Sequence, residues 1–237
     1  MNILLTNDDG YDSLGIKTLK ELLSKYGTVV IVAPDSQRSA NSASLSIGHP
    51  LTIDKVEDCV FKCNGTPVDC VSMGLCLLNI SFDLVVSGCN NGYNISYDTM
   101  YSGTVGAALE SLIFRIPSIA VSAPHGSDFE VVRKYFDQVW KFIFDNELTS
   151  TEYLLNVNFP KGEVKGMEIG SLYYRKDRNY FEKVEGGYLA YRYLDTDFES
   201  AKDSDCYLYQ NGIISIVPLR KTYFDKELQK ELLKKIK

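Results

Sequence analysis

Five short runs of aliphatic and β-branched residues, at residues 2–6, 29–33, 83–87, 118–122 and 154–158, alternate with segments of helical period. Each run is too short for a helix and nearly all apolar, as strands covered on both faces are. The intervening segments are long enough to be crossover helices. The alternation therefore predicts an α/β fold with a mostly parallel sheet flanked by helices. Ile16, Leu19, Leu22, Leu23 and Tyr26 share one helical face between the first two runs. Thr66-Pro67-Val68-Asp69 reads as a helix start, with Thr66 as cap, Pro67 in the first turn and Asp69 closing a capping box; Val71, Leu75 and Leu78 continue its apolar face. Another helix follows Gly103 with Val105, Ala108, Leu109 and Leu112, and a fourth runs from about Asp128 through Val132, Tyr135, Val139 and Phe142. Tyr135 and Trp140 read as core packing.

Composition changes after Pro160. Tyr173, Tyr174, Tyr180, Tyr188, Tyr191 and Tyr193 interleave with charges around Glu185-Gly186-Gly187, which predicts a β-hairpin arm. Such an arm cannot bury both faces alone, so its aromatic residues are expected to meet a partner subunit, the alternative being a local flap over its own domain. Residues 212–217 read as a strand, and residues 225–237 as a terminal helix whose Lys234, Lys235 and Lys237 suit a carboxyl end. The expected organisation is a catalytic core over residues 1–160 and a C-terminal extension over residues 161–237.

With 237 residues and 45% hydrophobic content, the chain can bury a substantial core. A net charge of −6 provides no broad basic surface, which argues against polymeric nucleic acid as the principal partner. No run approaches the roughly 20 apolar residues that cross a bilayer, and the amino terminus lacks the pattern of a secretion signal, so the expected location is the cytoplasm with no membrane partner. The six cysteines lack CxxC spacing and read as reduced structural thiols. His49 and His125 are the only histidines, which disfavours zinc and points to oxygen ligands and a hard cation.

The first run ends in Asn7-Asp8-Asp9-Gly10. Two adjacent carboxylates at the carboxyl edge of a sheet repel each other unless a cation or a shared proton relieves them. In an open α/β sheet, ligands bind beyond the carboxyl ends of the strands. Residues 33–42 after the second run, with Ser39, and residues 87–92 after the third, with Asn90, are expected at the same edge. Two carboxylates, a hydroxyl and an amide carbonyl form a hard oxygen set suited to one divalent cation, Mg²⁺, Mn²⁺ or Ca²⁺. Ser102, Gly103 and Thr104 open a helix whose free N–H groups would cradle a phosphate.

These segments resemble the SurE survival-protein family of metal-dependent 5′-nucleotidases. The resemblance rests on residues 3–10, Ala33-Pro34-Asp35 through Arg38-Ser39, Gly65-Thr66-Pro67 with Asp69-Cys70-Val71, Val86-Ser87-Gly88 with Asn90, and residues 101–105. Asn156-Val157-Asn158 with Pro160, and Ile214-Ser215 with Pro218-Leu219, extend it over nearly the whole chain. It implies that Asp8, Asp9, Ser39 and Asn90 hold the cation. It also implies a Rossmann-like core and a homodimer or homotetramer with a swapped C-terminal element. The expected reaction is hydrolysis of a nucleoside 5′-monophosphate, with 3′-monophosphates and short polyphosphate as further substrates. Asp8 and Asp9 are the catalytic pair, and Asp9 is ahead of Asp8 as acceptor of the water's proton. Ala40 and Ser96 depart from the family pattern where glycine is common, and residues 202–211 follow it only loosely.

Two rivals fit less well. A phospho-aspartate phosphatase of the haloacid-dehalogenase type presents a DxD arrangement, whereas Asp8 and Asp9 are adjacent. A signalling receiver domain needs a phosphorylatable aspartate where this chain has Ser87 and Asn90. A silent nucleotide-binding protein on the same fold is disfavoured by the intact ligand set. Deletion of residues 173–193 should lower the mass measured by light scattering while leaving cation binding in place.

Overall fold

The computed structural model describes residues 1–174, 178–193, 201–222 and 225–235. In chain order its elements are β1 (Asn2–Thr6), α1 (Leu14–Leu23), β2 (Thr28–Pro34), β3 (Ile53–Glu57), β4 (Val60–Cys63), α2 (Pro67–Leu77) and β5 (Leu84–Asn91). There follow α3 (Asp98–Tyr101), α4 (Gly103–Ile113), β6 (Ser118–Ala123), α5 (Glu130–Asp145), β7 (Tyr153–Asn158) and β8 (Gly166–Ile169). The chain closes with β9 (Arg178–Val184), β10 (Gly187–Tyr193), α6 (Asp205–Gln210), β11 (Ile213–Arg220) and α7 (Lys226–Lys235).

A nine-stranded sheet runs in the order β3-β4-β2-β1-β5-β6-β7-β11-β8. The pairings from β4 through β7 are parallel, while β3 and β11 run antiparallel to β4 and β7. Alternation along the strands divides the core between the two faces. Ile3 and Leu5 of β1 pack with Ile16 and Leu19 of α1 and with Phe136 and Trp140 of α5. Leu4 points the other way, into a cluster with Cys70 and Val71 of α2 and Ala107 of α4. Trp140 stacks on Tyr26 and Phe144 with centroids 4.4 and 4.3 Å away, in keeping with its reading as core.

The five expected strands of the core and its four expected helices are present, as are the expected later strand (β11), the hairpin (β9 and β10) and the terminal helix (α7). The third strand differs: residues 88–91, expected as a loop, belong to β5. The strand continues past a break in its register with β6 between Ser87 and Asn90. At the break, Gly88 has φ +138° and lies so close to β6 that a Cβ there would be 2.3 Å from the Val121 carbonyl oxygen. Residues of the C-terminal portion extend the main sheet, β11 beside β7 and β8 parallel to β11. The arm forms a separate antiparallel pair, β9 with β10, on which Tyr180 stacks against Tyr191 at 5.2 Å. Residues 175–177 of the expected arm, and Lys237 of the terminal helix, lie outside the described residues. Lys234 and Lys235 occupy the last turn of α7. All six cysteines are free thiols. Among the described residues, no helix is long and apolar enough to cross a membrane.

The capping box at α2 does more than start a helix. Asp69 accepts from the Thr66 N–H at 2.8 Å, and also from the Ser46 N–H and hydroxyl at 2.9 and 2.7 Å. The Thr66 hydroxyl reaches the Ser44 carbonyl at 2.7 Å. One buried carboxylate thus ties the β2–β3 connection to α2. Burial pushes its pKa up, and the hydrogen bonds from Ser46 and Thr66 outweigh that and hold it below the usual value. Replacing Asp69 by alanine leaves these donors unpaired, so chemical denaturation should show a loss of about 2–3 kcal/mol in unfolding free energy.

Candidate active site

From β1 the chain winds to β2 on one side, then returns to place β5 on the other, so the strand order reverses between β1 and β5. Crevices at such a reversal are the usual ligand sites of open α/β sheets. Here it is a cleft of about 640 Å³ whose lining includes Asp8, Asp9, Ser39, Asn90, Ser102 and His125. A larger cavity of about 760 Å³ lies beside it, between the β6–α5 and β7–β8 connections, and shares His125. The smaller cleft is the candidate site because it gathers the expected oxygen donors.

Asp8 is the most constrained of these. Only 4% of the residue is exposed, and its Oδ1 accepts from the Thr104 hydroxyl at 2.7 Å. Its backbone carbonyl accepts from the Arg38 N–H at 2.7 Å, which anchors the β2–β3 connection to the end of β1. The start of α4 fits against this carboxylate: a Cβ on Gly103 would lie 3.1 Å from Asp8 Oδ2. Burial raises the Asp8 pKa to about 6; hydrogen bonding from Thr104 opposes the rise and the charge of Asp9 adds to it. Asp9 is partly exposed, and its Oδ2 accepts from the Asn91 N–H at 3.2 Å. Burial raises its pKa as well, against the Asn91 hydrogen bond and the nearby His125 charge.

The register break in β5 delivers Asn90 to the cleft, where its Nδ2 donates to the Gly92 carbonyl at 2.8 Å. That bond leaves the Oδ1 oxygen as the atom of Asn90 that could face a cation. Ser39 is exposed and its hydroxyl accepts from Gln37 Nε2 at 3.1 Å. Ser102 caps α4 through its hydroxyl, which accepts from the Val105 N–H at 3.1 Å. Thr104 is fully buried and its hydroxyl is directed to Asp8 rather than into the cleft. Ala40 and Ser96, the two positions where the resemblance leads one to expect glycine, have φ of 61° and 54°. Both hold the left-handed conformation that glycine adopts without strain.

Could these residues hold a cation? Among the described residues no three His, Cys, Asp or Glu side chains gather, so the acidic pair needs the neutral oxygens of Ser39 and Asn90 to complete a set. The pair itself supplies the motive. A buried carboxylate and a partly exposed one stand side by side, with no ion pair to either among the described residues. Hard oxygen donors around such a charge fit a hard divalent cation.

Two features escaped the sequence reading. Asn94 lines the cleft from a loop that β7 holds in place: its N–H donates to Asn158 Oδ1 at 2.7 Å, and its carbonyl accepts from Asn156 Nδ2 and Asn158 Nδ2 at 2.7 and 3.0 Å. Asp205 of α6 secures the same loop by accepting from the Ser96 N–H at 2.7 Å. Asn156 and Asn158, two apart in an apolar strand, place amides on one buried face, and that spacing was the available signal. His125, set aside as a zinc ligand, stands at the mouth of the cleft.

Comparison with known proteins gives a consistent set of likenesses. The family model described as survival protein SurE matches residues 3–179. A protein named 5′-nucleotidase SurE from Clostridium botulinum (strain Alaska E43 / Type E3) is 39% identical over 250 residues, spanning 98% of this chain and 97% of that one. One of the same name from Pseudothermotoga lettingae is 36% identical over 230 residues, 92% of this chain and 88% of the other. The crystal structure of the SurE protein from Aquifex aeolicus superposes with a TM-score of 0.86 at 34% identity, covering 98% of both chains.

The elevated Asp8 pKa sets a direction for stability. The folded protein retains this proton up to about pH 6, against 3.8 for an ordinary carboxyl. The associated stabilisation is complete below the lower value and is lost as pH rises through the upper one. In chelator, the stability of the wild type relative to Asp8→Asn should therefore fall by about 1–3 kcal/mol between pH 4 and 7, measured by denaturant unfolding.

Proposed function

The chain belongs to the survival protein SurE family, and from that membership we propose that it is a divalent-metal-dependent 5′-nucleotidase that converts nucleoside 5′-monophosphates to nucleoside and phosphate. The observation that carries the reading to particular residues is the buried Asp8 beside Asp9 at the point where the strand order reverses.

In this reading Asp8, Asp9, Ser39 and Asn90 hold one cation, with Mg²⁺ or Mn²⁺ as the working ion and Ca²⁺ able to occupy the same oxygens. When bound, a divalent cation neutralises phosphate charge and acidifies water at its open positions. The chain's own residues do the rest. Thr104 fixes the orientation of Asp8, and the Asn91 N–H fixes Asp9. The N-terminus of α4 turns its positive end towards the phosphate, where Ser102 and the Gly103 N–H steady oxygens that do not react. The attacking water lies opposite the ester oxygen, and the more accessible Asp9 accepts its proton. Thr104, expected in the phosphate cradle, contributes by shaping Asp8.

The same proposal places the protein in the cytoplasm. It assembles as a homodimer or homotetramer through residues 161–237, with residues 1–160 as the catalytic core. Exposed Tyr180, Phe181, Tyr188 and Leu189 on the arm support an interface there. Turnover of 3′-monophosphates and short polyphosphate is secondary.

Phosphate release from a panel of nucleoside 5′- and 3′-monophosphates, with Mn²⁺, Mg²⁺ or chelator, tests the reading. Wild-type protein should turn over 5′-monophosphates only with the metal, and Asp8→Asn should lose at least about a hundred-fold, since such a metal supplies several kcal/mol. Full activity of the variant would remove Asp8 from the ligand set.

A further inference from the structure

Resting on the nucleotidase reading, we infer that His125 is a catalytic residue whose Nε2 donates the proton taken up by the departing ester oxygen of the nucleoside. The inference starts from position. His125 lies just beyond β6, in a loop that is locked to the end of β5. Its Nδ1 is 3.1 Å from the Asn91 carbonyl oxygen, and the Gly126 N–H donates to Asn91 Oδ1 at 2.8 Å. The N–H of the same Asn91 donates to Asp9 at 3.2 Å. One asparagine therefore sets the imidazole and the acidic pair in a fixed relation.

The lock also decides which nitrogen is available. A carbonyl only accepts, so Nδ1 carries its proton in either charge state. Nε2, on the far side of the ring, is the nitrogen that gains or loses one, and it makes no hydrogen bond among the described residues, while the imidazole feels the charge of Asp9.

The second observation is that His125 lines both the acidic cleft and the adjoining 760 Å³ cavity. The phosphoryl group is bound on the acidic side, and the adjoining space is of the size that small ligands occupy. Tyr135, Lys134 and Lys161 on its walls provide an apolar face and donors for a base and sugar. A nucleotide lying across the boundary has its scissile bond beside His125.

The third observation is what the cleft lacks. Among the described residues no lysine or arginine lines it, and its other ionisable groups are carboxyls and phenols. Imidazole is the side chain whose ordinary pKa lies nearest neutrality, and an unactivated alkoxide is a poor leaving group unless protonated. The step balances without a redox partner. Water attacks phosphorus, the bond from phosphorus to the ester oxygen breaks, and its electron pair stays on that oxygen, which takes the Nε2 proton. The proton from water passes to Asp9, and the neutral imidazole is reprotonated from solvent.

The test uses His125→Asn in the metal-loaded full-length protein, because asparagine keeps a donor near the Nδ1 position but has nothing in place of Nε2. Two substrates are compared, a nucleoside 5′-monophosphate and an aryl phosphate whose leaving group departs without protonation. The variant should lose about a hundred-fold in kcat on the nucleotide, and at least about tenfold less on the aryl ester, with Mn²⁺ affinity by calorimetry as in wild type. Equal losses on the two esters, or no loss on the nucleotide, would overturn the assignment. Failure of the wild type to hydrolyse any nucleotide would instead overturn the nucleotidase reading itself, and this inference with it.

Discussion

The structure depends on how it accommodates one buried carboxylate. Asp8 stands just beyond the end of β1, 4% exposed, with the start of α4 against it and a second carboxylate beside it. An ionised carboxylate in such a place is costly unless it is hydrogen-bonded and paired. The protein supplies the hydrogen bond from Thr104 but not the paired charge, and the pKa rises to about 6. In the proposed function a divalent cation among oxygen donors would complete what the chain leaves unfinished. The proposed chemistry follows from that incompleteness, since a site that welcomes a cation between a helix N-terminus and open space is also one that draws in a phosphate.

Precision at this point comes from distant parts of the chain. Asp69 ties the β2–β3 connection to α2, while the Arg38 N–H ties the same connection to Asp8. On the other side, Asn156 and Asn158 of β7 hold Asn94, and Asp205 of α6 holds Ser96. The β5–α3 loop is thus clasped between the parallel sheet and the C-terminal portion. Backbone groups that would otherwise be buried without partners are satisfied by these side chains, which makes the polar network a scaffold for the cleft.

The elements that were legible in the sequence were those whose local chemistry and burial agree. β1 is a continuous apolar run, and the Thr66-Pro67-Val68-Asp69 helix start carries its own cap. The β3–β4 hairpin was not foreseen because β3 is an edge strand with Asp54, Lys55 and Glu57 on it, and edges tolerate the charges that blur alternation. β8 and α6 were missed because they are only four and six residues long, and pairing with β11 or capping by Ser204 defines them. At the site, sequence reading collected Asp8, Asp9, Ser39, Asn90 and Ser102 of the cleft lining, but not Asn94 or His125. It could not give Thr104 its role, since the contact with Asp8 spans 96 positions of chain. Nor could it extend β5 to Asn91, because the break at Gly88 looks like a loop when read as composition.

The most direct test of this account is the thermal unfolding midpoint of the metal-free protein as Mn²⁺ is added at neutral pH. A cation held by the folded site alone should raise stability by about 1.4 kcal/mol for each tenfold increase above its dissociation constant, and the midpoint should climb accordingly. A midpoint that ignores Mn²⁺ up to millimolar concentrations would contradict the claim that the buried acidic pair is completed by a divalent ion.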